Sequence, residues 1–68
     1  MPMRPKQMVR LLKKNGFKEM GQNGSHLKMF NPITNRVTIV PMHAKDLPVG
    51  TEKRILKEAG LEGGHDIE

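Results

Sequence analysis

Cysteine, tryptophan and tyrosine are absent from the sequence, and phenylalanine occurs twice, as Phe17 and Phe30. Without thiols, no disulfide can reinforce the fold and no thiolate can hold zinc. The redox compartment stays open on this ground, although a reducing cytosol is compatible with it. The shortage of aromatic rings argues against gripping single-stranded nucleic acid by base stacking, which needs several aromatic platforms. No run of 18 apolar residues occurs, so no membrane-spanning helix is expected. The opening MPMRPKQMVRLLKK sets basic residues on both sides of a few apolar ones and lacks the apolar centre of a signal peptide. Export is not expected, and a cytoplasmic location is.

Acidic residues are scarce too, except at the end of the chain. All twelve Lys and Arg lie before residue 62, where the acids are Glu19, Asp46, Glu52 and Glu58, so residues 1–61 carry a formal charge of +8. Glu62, Asp66 and Glu68 bring the whole chain down to +5. A domain this basic attracts polyanions, of which nucleic acid is the usual one; the plainer alternative is a solvated basic face. A chain of 68 residues is enough for one domain with a small core. We read residues 1–61 as that domain and residues 62–68, including His65, as a flexible tail without a function of its own.

Neither an internal repeat nor a low-complexity segment is evident. A first helix is expected over 5–15. Pro5 suits its first turn, Met8, Leu11 and Leu12 form one apolar stripe, and Asn15-Gly16 ends it. Three strands should follow. The first runs from Phe17 to Met20 and is followed by a turn over 21–24. The second spans 25–30, with Leu27 and Met29 on one face and His26 and Lys28 on the other. After a hairpin loop over 31–35, the third runs from Arg36 to Val40, with Val37 and Ile39 facing one way and Arg36 and Thr38 the other. Pro41 ends it. A last helix over 48–59 buries Ile55, Leu56 and Ala59 and stops at Gly60, with Leu61 folding back. The order is α-β-β-β-α. It predicts an α+β two-layer sandwich in which both helices cover one face of a three-stranded antiparallel sheet. The uncovered face is expected to present His26, Lys28, Arg36 and Thr38.

Groups able to do chemistry are few. The acids are scattered and form no close pair of the kind that glycoside or metal chemistry requires. His26 follows a glycine-rich turn, in Gly24-Ser25-His26, and Lys28 lies two residues on, about 7 Å along the same strand face. An imidazole beside a cation suits RNA cleavage through the 2′-hydroxyl. Histidine titrates near neutrality and can take the hydroxyl proton, and lysine can stabilise a phosphate as it becomes five-coordinate. Against this stands the ordinary reading of a surface histidine and a solvated lysine. If Phe30 pairs with Arg36, His26 lies opposite Val40 and His43 follows roughly 10 Å of chain later. His43 would then be an accessory acid or phosphate ligand, with a hydrogen bond at the helix entry as its default role. No third ligand is apparent for a metal held by His26 and His43, so no metal or cofactor is expected. Met3, Met8, Met20, Met29 and Met42 read as core fillers or an adaptable contact surface.

Beyond these residue-level readings, Gly24-Ser25-His26-Leu27-Lys28-Met29 resembles the G-S-H signature of HicA toxins. Val40-Pro41-Met42-His43, Leu47-Pro48-Val49-Gly50-Thr51 and Ile55-Leu56-Lys57-Glu58-Ala59-Gly60-Leu61 are similar to that family's closing pattern, and a basic opening helix before Asn15-Gly16-Phe17 also fits. The resemblance covers residues 3–61; the acidic tail after Leu61 departs from it. It implies a fold like that of double-stranded-RNA-binding domains and a metal-independent mRNA interferase of a type II toxin–antitoxin pair. It also implies His26 as the catalytic residue and a HicB antitoxin that covers the active site. On this reading Lys28, Lys6, Arg10, Lys13 and Arg36 contact RNA, while Ser25 and His43 are accessory. DNA enters only through a complex with the antitoxin. The main rival is a non-catalytic RNA-binding module of the double-stranded-RNA-binding-domain type. A structural adaptor that binds only protein through its open sheet face is the third reading.

Overall fold

A computed structural model describes residues 3–61. Helix α1 (Pro5–Lys14) comes first, then strands β1 (Lys18–Asn23), β2 (His26–Asn31) and β3 (Arg36–Pro41), then helix α2 (Val49–Glu58). The strands form one antiparallel sheet in the order β1-β2-β3. The architecture is therefore α-β-β-β-α in the α+β class, as the hydrophobic periodicity implied.

Each element follows from local chemistry. Pro5 occupies the first turn of α1, where a missing N–H leaves nothing unpaired. The buried face of that helix is Met8, Val9 and Leu12, with Leu11 partly buried beside it. Both helices stop in the same way. The N–H groups of Gly16 and Phe17 donate to the carbonyls of Lys13 and Leu12, and those of Gly60 and Leu61 to the carbonyls of Lys57 and Leu56. Gly16 and Gly60 take left-handed backbone conformations, with φ of +93° and +76°. Left-handed backbone reverses the chain and satisfies carbonyls that the helix leaves free. Phe17 and Leu61 then fold back onto the core.

That core lies between the helices and one face of the sheet. Met8, Leu12, Met29, Val40, Leu47 and Ile55 are its most buried apolar side chains. Strand β1 contributes none of its six residues and stays exposed throughout, so unlike β2 and β3 it has no buried inner face. The expected turn over 21–24 is also corrected. Gly21, Gln22 and Asn23 belong to β1, and the turn is Gly24-Ser25 alone. Gly24 has φ of +63°, which suits the first position of a two-residue type II′ hairpin.

The largest departure concerns β3. Asn31 pairs with Arg36 and Phe30 with Val37, so the loop is Pro32–Asn35 and His26 faces Pro41, not Val40. A shift of one residue turns a strand over. Thr38 and Val40 are therefore buried, while Val37 and Ile39 face the uncovered side. Asn31 fixes this register. Its buried side chain donates from Nδ2 to the Asn15 carbonyl at 3.0 Å, and its Oδ1 accepts from the N–H groups of Ile33 at 2.9 Å and Thr34 at 3.3 Å. Asn35, at φ of +62°, closes the turn.

Candidate active site on the open sheet face

The helix-free face holds an open groove of about 630 Å³. Its walls come from all three strands: Gly21, Gln22 and Asn23 of β1, His26 and Lys28 of β2, and Ile39 of β3. Alternation along β2 points Leu27 and Met29 into the core and His26 and Lys28 out into this groove. The histidine and the lysine named from sequence therefore share one concave surface.

A bulge in β1 shapes that surface. Glu19 pairs with Met29 and Gly21 with Lys28, so Met20 is the inserted residue. The bulge thus sets a residue with no side chain beside Lys28. A Cβ built on Gly21 meets nothing within 4 Å, and the groove extends into that space. Across the sheet, Lys28 faces Ile39. Gly21, Gln22, Asn23 and Ile39 were not anticipated as site residues. A glycine inside a strand often marks a bulge or a close approach, so Gly21 did carry a signal.

His26 opens β2 directly after the turn and pairs with Asn23 on one side and Pro41 on the other. The Ser25 carbonyl accepts from the Met42 N–H at 2.6 Å, and Gln22 Nε2 donates to the Gly24 carbonyl at 2.9 Å. These bonds hold the backbone around the histidine while its ring stays exposed. The Met42 bond also brings His43, the next residue, to the end of the sheet where β2 begins. His43 is exposed and lies two residues past the partner of His26, closer along the chain than expected. Neither Ser25 nor His43 lines the groove.

Arg36 and Thr38 do not belong to the open face. Turning β3 over places Thr38 under α2, where its Oγ1 donates to Glu58 Oε1 at 2.8 Å. The same carboxylate oxygen pairs with Arg54 Nη1 at 2.9 Å. Arg36 lies across the end of α2, close enough that a Cβ on Gly60 would stand 2.7 Å from its Nε. A cation there complements the partial negative charge of a helix C-terminus. Lys6, Arg10 and Lys13 line a second groove on α1, of about 440 Å³, together with Val9 and Lys14. It lies in the helix layer and does not join the His26 groove. Lys13 is also engaged by Glu19 at 2.7 Å. Among the described residues, no group of three or more His, Cys, Asp or Glu is placed to hold a metal.

The order of elements, the G-S-H turn and the His26 groove can be set against known proteins. The family model for the HicA toxin of bacterial toxin–antitoxin systems matches residues 5–61. The chain belongs to the HicA toxin family. A search of curated proteins gave no match. The HicA match covers both helices, all three strands and every wall of the groove. Membership makes this HicA-family protein the toxin of a toxin–antitoxin system and implies an antitoxin partner. No helix among its described residues is long and apolar enough to cross a membrane.

Proposed function

We propose that the chain is a metal-independent endoribonuclease acting on mRNA, with residues 1–61 as the cleaving unit and His26 as its catalytic acid–base. The observation that carries this reading is the exposure of His26 and Lys28 in one groove on the sheet face that the helices leave bare. In the proposed reaction His26 takes the proton of a ribose 2′-hydroxyl. The 2′-oxygen bonds to the adjacent phosphorus, the bond from phosphorus to the 5′-oxygen breaks, and that oxygen receives a proton from the imidazolium or from water. Lys28 stabilises the charge that builds on the phosphate oxygens. His43 is an accessory at the end of the sheet, and Ser25 contributes through its backbone carbonyl. Lys6, Arg10 and Lys13 hold RNA away from the site of cleavage. Arg36 is exposed beside the end of α2 and outside the groove, so any contact it makes with RNA is likewise away from the site of cleavage. A HicB-type antitoxin silences the enzyme by covering the groove, and DNA contacts arise only in that complex.

The test uses purified protein, labelled mRNA and a chelator. Cleavage should persist with the metal removed and should fall by at least about 10²-fold in His26→Ala, the lower end of what a positioned acid–base supplies. RNA binding should remain. Binding without cleavage by the unaltered protein would favour the non-catalytic RNA-binding module.

A further inference from the structure

A third groove, of about 230 Å³, lies where the start of α1 meets the loop between β3 and α2. Arg4, Pro5 and Lys6 form one side, and Met42, Ala44 and Lys45 the other. The two sides are tied by a backbone bond from the Leu47 N–H to the Met3 carbonyl at 2.7 Å. Among the described residues, no carboxylate stands within ion-pair distance of Arg4, Lys6 or Lys45. The three cations therefore converge on one concavity without internal neutralisation.

The position of this groove matters more than its size. Lys6 also lines the α1 groove, so the two basic concavities are neighbours that share a wall residue. On the other side, Met42 is bonded through its N–H to the carbonyl of Ser25, the residue before His26. A path of positive charge thus runs from Lys14 and Arg10 through Lys6, Arg4 and Lys45 to the end of the sheet where His26 sits. It leads from the helix layer to the opposite face of a body whose shortest extent is 16 Å.

We infer that Arg4, Lys6 and Lys45 form a phosphate-binding site outside the cleavage groove, which leads a single RNA strand from α1 round the end of the sheet to His26. This rests on the ribonuclease reading and adds the course and the strandedness of the substrate. A nucleic-acid duplex bends on a scale of about 50 nm and cannot follow a turn this tight. A single strand can. With few aromatic rings available for stacking, the hold is on the phosphates.

The experiment measures binding of an unstructured oligoribonucleotide by the His26→Ala protein across a salt series. The same series is run on His26→Ala carrying Arg4→Ala and Lys45→Ala, and on a control carrying Lys53→Ala and Lys57→Ala, two α2 cations that line none of the three grooves. Each phosphate contact to a single strand contributes about 0.7 to the slope of log affinity against log salt. Losing Arg4 and Lys45 should therefore flatten the slope by about 1.4, and the control should change it by much less. In a background with His26 intact, the Arg4/Lys45 variant should raise KM and leave kcat unchanged. A duplex of equal charge should compete poorly. Equal slopes for the two variants, or equal competition by the duplex, overturns the inference while leaving His26 cleavage in place. Normal cleavage by His26→Ala instead overturns the parent reading and leaves the binding result to be judged separately.

Discussion

At His26, Lys28 and Gly21, the proposed chemistry and stability should separate cleanly, because all three are exposed and none packs in the core. Lys28→Ala should slow cleavage by about tenfold or more, less than a buried oxyanion donor would cost, since water screens an exposed charge. Its melting temperature should stay near that of the parent. Gly21→Leu should place a side chain in the groove beside Lys28. The site has room for a Cβ and no left-handed backbone, so unfolding in urea should shift by less than about 0.5 kcal/mol while cleavage falls. Normal turnover in Gly21→Leu would show that substrate does not use this part of the groove. Asn31 is the opposite case. Asn31→Ala strips partners from the Asn15 carbonyl and from the Ile33 and Thr34 N–H groups. It should cost about 2 kcal/mol in urea unfolding.

Among the elements, the helix ends and β3 are the informative ones. Gly60 combines φ of +76° with Arg36 pressed against its missing Cβ. Gly60→Ala should therefore destabilise by more than about 1 kcal/mol. Adding Arg36→Ala should recover the part due to the clash but not the part due to the backbone, as a thermal-melt double-mutant cycle would show. The outer strand β3 is fastened to α2 through Thr38, Glu58 and Arg54, and the Arg54 guanidinium also reaches the Ile39 carbonyl at 3.4 Å, a weak contact. This clasp holds Ile39, a wall of the His26 groove, from the far side of the strand. Its members were visible in the sequence as residue types, but Thr38 read as an open-face residue because alternation alone does not say which face is which.

For the whole molecule, the small core sets the margin. Domains below about 70–80 residues rarely gain more than 3–5 kcal/mol from a single core, and Met29 is fully buried at its centre. Met29→Ala removes about 2–5 kcal/mol, so circular dichroism should report a largely unfolded chain at 25 °C. Cleavage lost in this variant would reflect unfolding, whereas loss in His26→Ala should come with an intact spectrum. The overall charge works at the same scale. The grooves on α1 and beside Lys45 together hold six cations, whereas the His26 groove holds one lysine, so on the proposed reading most of the affinity for RNA should come from outside the site of cleavage.

Local patterns in the chain were sufficient for the element order, for the glycine stops of both helices, for the inward face of β2 and hence for His26 beside Lys28. Each of these depends on residues within a turn or two of one another, and periodicity and backbone sterics act at that range. The facing of β3, the course of β1 through its bulge and the removal of Arg36 from the open surface depended on the tertiary structure. A strand's face is set by a register that slips with one loop residue, and here a buried asparagine bonded to the distant end of α1 holds it.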